Sequence, residues 1–198
     1  MKKLVIASNN KGKIAEIAEI LGGHFEVVSM KEAGLEVDIE ETGTTFEQNA
    51  IIKAKACFER TGLPSLADDS GLCVDGLDGA PGVDSAVYAQ SKDAHYSQLT
   101  SDQNIDLLLS NLKNIKDRSA KFVCVMVLFD GTRIISGYGE THGKILSERV
   151  GAGGFGYDPI FWSDDLEQSF ALATAKDKNK VSHRRRALDD LLKHYQNS

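Results

Sequence analysis

The hydrophobic pattern near the start of the chain predicts a buried strand followed by a helix. Residues 4–7 form a short, continuous apolar run that is typical of a buried strand. Ile14, Ile17 and Leu21 then recur at helical spacing, and Gly22-Gly23 ends that pattern. A short polar loop must therefore connect the strand to the first turn of the helix.

The pattern continues with two short strands and a long helix. Apolar residues predict strands at residues 25–28 and 35–39. Thr44 and Glu47 stand at the spacing of a capping box, in which each side chain bonds the other residue's backbone amide. We therefore expect the helix to begin there, and its pattern runs to about Arg60.

The second half of the chain predicts a helix, a hairpin and a last helix. Apolar residues at helical spacing mark a helix around residues 105–112. The β-rich run 122–129 and a return strand at 133–138 flank Asp130-Gly131, which is typical of a hairpin turn. Residues 187–195 carry the apolar stripe of the last helix.

Composition narrows the class of protein. The 198 residues suffice for one domain, or two closely joined lobes, that folds without a disulfide. The net charge of −6 and the pI near 5.4 argue against a nucleic-acid binder, whereas small phosphorylated ligands need only a few local cations. Three cysteines without a Cys-x-x-Cys pair fit free thiols in a reducing compartment and argue against zinc. Finding neither a signal peptide nor a membrane span, we expect a cytoplasmic protein.

Two adjacent carboxylates, Asp68 and Asp69, are the strongest candidates for a catalytic or metal-binding site. They follow the apolar run 63–67 and precede Ser70-Gly71, so we expect them at the end of a strand. Strand side chains alternate between the two faces, and the two carboxylates should therefore point in opposite directions. One interpretation is a magnesium and water site, since Mg²⁺ usually pairs one or two carboxylates with substrate phosphates. The other is an Asp-Asp-Ser-Gly turn, whose residues bond their own backbone.

The polar loop at residues 8–13 is a candidate anion site. It connects a strand to a helix N-terminus, where free backbone N–H groups and the helix dipole both favour phosphate. It is not a Walker A loop, because the first glycine is missing and Ile14 stands where Ser or Thr would follow Gly-Lys. An ordinary strand-to-helix turn is the alternative.

The long helix offers further polar groups near its start. Asn49 and Lys53 are four residues apart and so share one helix face. Glu41, just before the helix, is either a solvated group near the helix dipole or a second metal ligand beside Asp69. In the second interpretation, Lys53 neutralises phosphate.

Two later segments indicate a nucleobase site. Residues 151–159 are rich in glycine and contain two aromatic residues; glycine lets a backbone approach a ligand closely, and aromatic rings stack on bases. Cations crowd residues 178–186 at the start of the last helix, where the dipole disfavours them, which indicates an anionic or carbonyl-rich partner. A flexible loop with Phe155 in the core and a solvated charged helix are the alternatives.

These motifs, in this order, resemble the inosine triphosphate pyrophosphatase family, also called XTP/dITP diphosphatases. The resemblance extends from residue 3 to about residue 193. It implies an α/β fold with an elongated central mixed sheet flanked by helices, two lobes with the active site in the cleft between them, one domain over residues 1–198, and a homodimer. The segments that carry it are Ser8–Lys13, Glu41–Phe46 with Asn49-Ala50, Ala67–Leu72, Phe155–Pro159 and Ser182–Arg184.

The resemblance further implies a Mg²⁺-dependent hydrolase that converts ITP, dITP or XTP to the nucleoside monophosphate and pyrophosphate. Asp69 would be the catalytic proton acceptor and, with Glu41, a metal ligand. The residues implied to bind substrate are Ser8, Asn9, Asn10, Lys11, Gly12, Lys13, Lys53, Ser70, Phe155, Gly156, Tyr157, Asp158, Lys178, His183 and Arg184.

The sequence departs from the family pattern at two positions, and two alternative functions stay open. Asp84 and Val87 replace an aromatic residue and a cation that are common in the family, which weakens any role for that loop. One rival is a pyrophosphatase for other modified nucleoside triphosphates, and another is a purine nucleotide sensor without turnover. The pair of Glu41 and Asp69 favours an enzyme, because a pure binder needs no general base.

Overall fold

Helices and strands alternate along most of the chain. The computed structural model describes residues 2–21, 23, 25–36, 39–92 and 100–197. The strands are β1 (Lys2–Ile6), β2 (Phe25–Ser29), β3 (Ser65–Val74), β4 (Ser119–Phe129), β5 (Ile134–Ile145), β6 (Phe161–Ser163) and β7 (Gln168–Ser169). The helices are α1 (Lys11–Leu21), α2 (Phe46–Thr61), α3 (Tyr88–Lys92), α4 (Ser101–Asn111), α5 (Ala175–Val181) and α6 (His183–Gln196).

The strands form a mixed sheet. Within the described ranges, seven strands lie in the order β2-β1-β3-β4-β5-β6-β7. Strand β1 pairs in parallel with β2 and β3, whereas β6 pairs antiparallel with β5 and β7. Parallel neighbours need crossover connections, and α1 and α2 lie in the connections from β1 to β2 and from β2 to β3. The predicted α/β class is confirmed.

The chain divides into two compact units. Unit 1 comprises Met1–Asp69, Cys124–Gly139 and Arg184–Ser198, and unit 2 comprises Ser70–Val123 and Glu140–His183. The expectation of one domain over the whole chain stays a prediction. No helix in the described part of the chain is long and apolar enough to cross a membrane.

The apolar run at the start of the chain is explained by burial on both faces of β1. Leu4 and Ile6 pack in one cluster with residues of α1 and α6. Val5 and Ala7 pack in another cluster, which contains Ala50, Ala54 and Cys57 of α2. A strand that is covered on both sides has no polar face, so its sequence is continuously apolar rather than alternating.

The core of unit 2 is built around aromatic rings. Phe122 of β4 packs against Phe161 and Phe170, with ring centroids 4.6 and 6.0 Å apart. Ile105 and Leu108 of α4 belong to the same buried cluster, as the helical spacing predicted. Tyr157, Ile160 and Phe161 belong to this core, which therefore holds the C-terminal end of the glycine-rich segment 151–159.

Helix α6 covers one edge of β5 in unit 1. The Tyr138 amide donates to Asp190 Oδ2 at 3.0 Å, and His194 Nδ1 lies 2.9 Å from the Ser136 carbonyl oxygen. Gly137 permits this approach, because a Cβ there would lie 2.3 Å from the Ala187 carbonyl oxygen. Side chains of α6 therefore supply hydrogen bonds that a neighbouring strand would otherwise make.

Two predicted boundaries in unit 1 are wrong. Residues 35, 36 and 39 belong to no strand, and residues 37–38 lie outside the described part of the chain. The N-cap of α2 is Thr45, whose hydroxyl accepts from the Gln48 amide at 3.2 Å, so the predicted cap at Thr44 lies one residue too early. Both neighbours are threonine, so the local pattern could not choose between them.

Two later expectations also need correction. Asp68 and Asp69 lie in the middle of β3, which continues to Val74, so neither a strand end nor an Asp-Asp-Ser-Gly turn is present. The cations at residues 178–186 do not share one helix start, because Lys178 lies on the separate helix α5 and α6 begins at His183. Gly22, predicted to end α1, is outside the described residues.

Candidate active site

Strand β3 sends its two carboxylates to opposite faces, as predicted from the alternation of strand side chains. Asp69 contacts side chains of α2, while Asp68 contacts Lys13 and Arg184. Both aspartates are buried, with 2% of Asp68 and 7% of Asp69 exposed. Buried carboxylates need partners, and the partners differ on the two faces.

On one face, Asp69 lies in a cluster with Asn49, Lys53 and Glu41, which we name the Lys53 cluster. The Asn49 amide nitrogen donates to Asp69 Oδ2 at 3.1 Å. The Lys53 ammonium lies 3.5 Å from Asp69 Oδ1 and 2.9 Å from Glu41 Oε2. Asn49 and Lys53 share one helix face, as their spacing of four residues predicted, and in the structure both reach Asp69.

The Lys53 cluster makes Asp69 an unusually basic aspartate. Burial raises the pKa of Asp69, and the nearby Glu41 carboxylate raises it further, while Lys53 and Asn49 lower it; the net pKa is about 6. Burial lowers the pKa of the Lys53 ammonium, but the surrounding carboxylates outweigh burial and raise that pKa. Lys53 therefore stays cationic beside a carboxylate that can accept a proton near neutral pH.

On the opposite face, Asp68 belongs to a buried charge network, which we name the Arg184 network. Asp68 Oδ2 lies 3.0 Å from the Lys13 ammonium and 3.5 Å from Arg184 Nε. Arg184 Nη1 donates to Glu16 Oε2 at 2.8 Å, and 3% of the Arg184 side chain is exposed. Burial would raise the pKa of Asp68, but Lys13 and Arg184 hold that pKa well below its usual range. Asp68 therefore stays ionised.

The polar loop at residues 8–13 forms a cap for α1. The Asn10 side-chain oxygen accepts from the backbone amides of Gly12 and Lys13 at 2.9 and 3.2 Å. The Ser8 hydroxyl accepts from the Asn10 amide at 3.1 Å. The first amides of α1 are thus bonded by Asn10, and Lys13 projects from this turn to Asp68. The side chain of Lys11 is outside the described part of the structure.

In unit 2, the glycine-rich segment is fastened to α5 through Asp158. The buried Asp158 carboxylate accepts from the Phe155 amide at 2.8 Å and forms an ion pair with Lys178. The Lys178 ammonium also lies 4.4 Å from the centroid of the Phe155 ring and 5.3 Å from that of Phe170. Phe155 is 47% exposed, so the alternative that tucked Phe155 into the core is wrong.

Other residues of unit 2 implied to bind substrate lie in different surroundings. Tyr157 is buried, and its hydroxyl donates to the Ser85 carbonyl at 2.8 Å, while the neighbouring Gly156 has a positive φ of 59°. His183 is buried and stacks on Phe122 with ring centroids 5.0 Å apart. Ser70 is half-buried and follows Asp69 in β3.

The described side chains contain no group of three or more His, Cys, Asp or Glu residues that could hold a metal ion. The nearest approach to a hard-cation site is the carboxylate pair of Glu41 and Asp69, which share the ammonium of Lys53. Asp68, the third nearby acid, points to the other face of β3 and bonds cations there.

Comparison with known proteins identifies the family. A model of the Ham1 family matches residues 4–194. The chain belongs to the Ham1 family. It is 48% identical to a protein of Treponema denticola named dITP/XTP pyrophosphatase, over 94% of each chain. The family resemblance drawn from the motifs is thus confirmed.

Solved Ham1 structures share the fold. The structure of a Ham1 protein from Coxiella burnetii covers 100% of both chains with a TM-score of 0.89 and 38% identity. The Ham1 protein of Staphylococcus aureus matches with a TM-score of 0.85 and 39% identity, over 99% of this chain and 98% of its own. At these identities the likeness extends to sequence as well as to fold.

Two residues of this Ham1 chain were missing from the predicted site. Asn49 was recognised as sharing a helix face with Lys53, but its bond to Asp69 requires knowing which strand packs against that face. Glu16 gave no sequence signal, because a glutamate in an amphipathic helix is ordinarily solvent-exposed. The structure instead buries it against Arg184.

Proposed function

We propose that this protein hydrolyses ITP, dITP and XTP to the nucleoside monophosphate and pyrophosphate, and so removes aberrant purine nucleotides from the nucleotide pool. Relatives named dITP/XTP pyrophosphatase are 48% and 43% identical to it over nearly the whole chain. The observation that carries the proposal is the Lys53 cluster, which places a carboxylate with a pKa of about 6 beside a cationic lysine. A general base works best when its pKa lies near the operating pH.

We propose Mg²⁺ as the cofactor, held by Glu41 and Asp69. The donor set fits, because Mg²⁺ is usually bound by one or two carboxylates together with substrate phosphates. The two carboxylates already converge on one positive charge, the Lys53 ammonium. When bound, the metal would neutralise phosphate oxygens and assist the attack of water.

We propose that water attacks the α-phosphorus, because this attack yields the monophosphate and pyrophosphate in one step. Asp69 accepts the proton of the attacking water as the new oxygen–phosphorus bond forms. The bond between the α-phosphorus and the α–β bridging oxygen breaks, and pyrophosphate leaves with that oxygen. Lys53 and Lys13 supply positive charge for the phosphates, and their carboxylate partners hold them in place.

In unit 2 we propose that the half-exposed Phe155 ring stacks on the purine base. Lys178, held by Asp158 beside that ring, and His183 are candidate hydrogen-bond donors to the 6-keto group. A pocket built to donate to a keto oxygen rejects an amino analogue by about 10⁴-fold, which is the scale needed against ATP. A direct role of Arg184 at the base stays a prediction; its guanidinium contacts Glu16 and Asp68.

We further propose a homodimer, on the family resemblance, and a cytoplasmic location. Nucleoside triphosphates are cytoplasmic metabolites, and Cys57, Cys73 and Cys124 are all free thiols. Light scattering would measure the oligomeric state.

Product analysis tests the proposed function. The purified protein with Mg²⁺ is incubated separately with ITP, dITP, XTP, dGTP and ATP, and nucleotide and phosphate products are separated by ion-exchange chromatography. We expect monophosphate and pyrophosphate from ITP, dITP and XTP, with dGTP and ATP largely intact. Diphosphate products, or equal turnover of ATP, would contradict the proposal. Binding of ITP without any turnover would favour the sensor, and selective turnover of another modified nucleotide would favour the rival pyrophosphatase.

A further inference from the structure

We propose that Asn49 is a positioning residue that holds Asp69 and the loop carrying Glu41 in one fixed arrangement. The inference rests on the proposed function, since it assigns Asn49 a role in that same site. Asn49 lies in the first turns of α2 and is 4% exposed.

The Asn49 side chain bridges two separate elements. Its amide nitrogen donates to Asp69 Oδ2 on β3 at 3.1 Å. Its carbonyl oxygen accepts from the Gly43 amide at 2.8 Å, two residues after Glu41. A carboxamide suits this task, because it offers a donor and an acceptor from one neutral, rigid group.

The loop that carries Glu41 approaches Asn49 so closely that position 43 requires glycine. A Cβ at Gly43 would lie 2.6 Å from Asn49 Oδ1 and 2.7 Å from Gln48 Cβ. Such distances are far below ordinary van der Waals contact. Gly43 is therefore matched to Asn49, and the pair fixes where Glu41, two residues before Gly43, enters the Lys53 cluster.

Together these contacts close a ring. Asn49 holds Asp69 Oδ2, Asp69 Oδ1 faces Lys53, and Lys53 holds Glu41. The chain from Glu41 to Gly43 then returns to Asn49. Removal of Asn49 opens the ring at two points, and Lys53 alone then links the two carboxylates in this ring. Partners that orient metal-binding carboxylates are typically worth 10- to 100-fold in metal affinity or activity.

Gln48 provides a matched control. It lies next to Asn49 on α2, and its side-chain oxygen accepts from the Thr44 amide at 2.9 Å, so it tethers the same loop. Gln48 is exposed and makes no described contact with Asp69 or Glu41. Comparison of Asn49→Ala with Gln48→Ala therefore separates the effect of losing the contact with Asp69 from the effect of losing one tether of the loop.

The experiment measures turnover of dITP and binding of Mn²⁺, the latter by electron paramagnetic resonance without nucleotide. For Asn49→Ala we expect kcat to fall about 30-fold or more, KM to change less than about threefold, and the Mn²⁺ dissociation constant to rise about tenfold. For Gln48→Ala we expect all three within about twofold of the wild type. Equal losses in both variants, or an unchanged Mn²⁺ dissociation constant in Asn49→Ala, would overturn the proposal.

A second variant covers a failure of Asn49→Ala to fold. Asn49→Asp keeps the shape of the side chain and the acceptor for the Gly43 amide, but replaces the donor to Asp69 by a like charge. A folded Asn49→Asp protein with kcat lowered at least 30-fold supports positioning, and kcat within threefold of the wild type would refute it. If the wild type binds Mn²⁺ but releases no pyrophosphate, the proposed function fails, and Asn49 is judged by Mn²⁺ binding alone.

Discussion

Asp68 and Asp69 are neighbours in β3, yet the protein gives them opposite acid–base properties. Burial alone would raise the pKa of both carboxyl groups. Asp68 faces Lys13 and Arg184, and these cations hold its pKa well below the ordinary value. Asp69 shares the ammonium of Lys53 with Glu41, and its pKa rises to about 6.

The difference suits the two carboxylates to different tasks. Asp68 stays ionised through the physiological range and serves as the counter-ion of buried cations. The raised pKa of Asp69 makes its carboxylate a stronger base than that of an exposed aspartate. A shift of the chain by one residue in β3 would exchange the two environments, so the register of this strand is part of the chemistry.

The largest expected effect is the loss of turnover when Asp69 is substituted. Asp69→Asn removes the proton acceptor but keeps the shape of the side chain, so we expect kcat for dITP to fall about 10³- to 10⁴-fold. Steady-state release of pyrophosphate measures this, and circular dichroism checks the fold. Turnover within tenfold of the wild type would mean that Asp69 is not the base.

On the other face, the main effect should be on stability. Asp68→Asn leaves Lys13 without its buried counter-ion and Arg184 with Glu16 alone, and we expect a loss of about 3 to 5 kcal/mol in the free energy of unfolding. Urea unfolding measures it. Asp189→Asn is the control, because Asp189 pairs with Arg185 at the surface and should cost less than about 1 kcal/mol. Equal losses in both variants would contradict the buried network.

The pH dependence of stability should have opposite signs for the two aspartates. The folded pKa of Asp69 exceeds the unfolded value of 3.8, so its contribution is present at low pH and is lost as pH rises through about 6. The shift corresponds to about 2 to 3 kcal/mol. The pKa of Asp68 is depressed, so its contribution is present above about pH 4 and is lost below it.

Urea unfolding of the wild type and both Asn variants between pH 3 and 8, with EDTA to remove metal, measures these signs. We expect Asp69→Asn to flatten the decline between pH 4 and 6 and Asp68→Asn to flatten the decline below pH 4. The same profile in both variants would show that the two environments are equivalent.

The smallest expected effect concerns the support of Arg184. Glu16→Gln keeps a hydrogen-bond acceptor for the guanidinium but removes the charge, and Asp68 remains as a counter-ion. We expect a loss of about 1 to 2 kcal/mol in the free energy of unfolding by urea titration, with kcat for dITP little changed. A larger loss than that of Asp68→Asn would reverse the order of the two acids.

The α/β fold was predicted from the family resemblance, whereas short-range patterns predicted how side chains are oriented on single strands and helices. The period of two in β3 and the spacing of four in α2 predicted opposite faces for the aspartates and a shared face for Asn49 and Lys53. Those patterns follow from strand and helix geometry alone. The charge partners of Asp68 were out of reach, because Lys13 and Arg184 are distant in the chain and meet only through the packing of α1 and α6.

The errors arose where neighbouring residues are chemically alike. Thr44 and Thr45 are equally good caps, and Asp-Asp-Ser-Gly suits a turn as well as a strand. Only the pairing of β3 within the sheet decides the second case. The roles of the individual substrate-binding residues stay predictions that the variants above address.

Helix α6 has a consequence beyond the site. Through Asp190 and His194 it occupies backbone groups of β5 that face outward from the strand. Without the last turns of this helix, Ser136 and Tyr138 would offer an open strand edge to another molecule. Shortening of the chain within α6 is therefore expected to promote aggregation, which light scattering would measure.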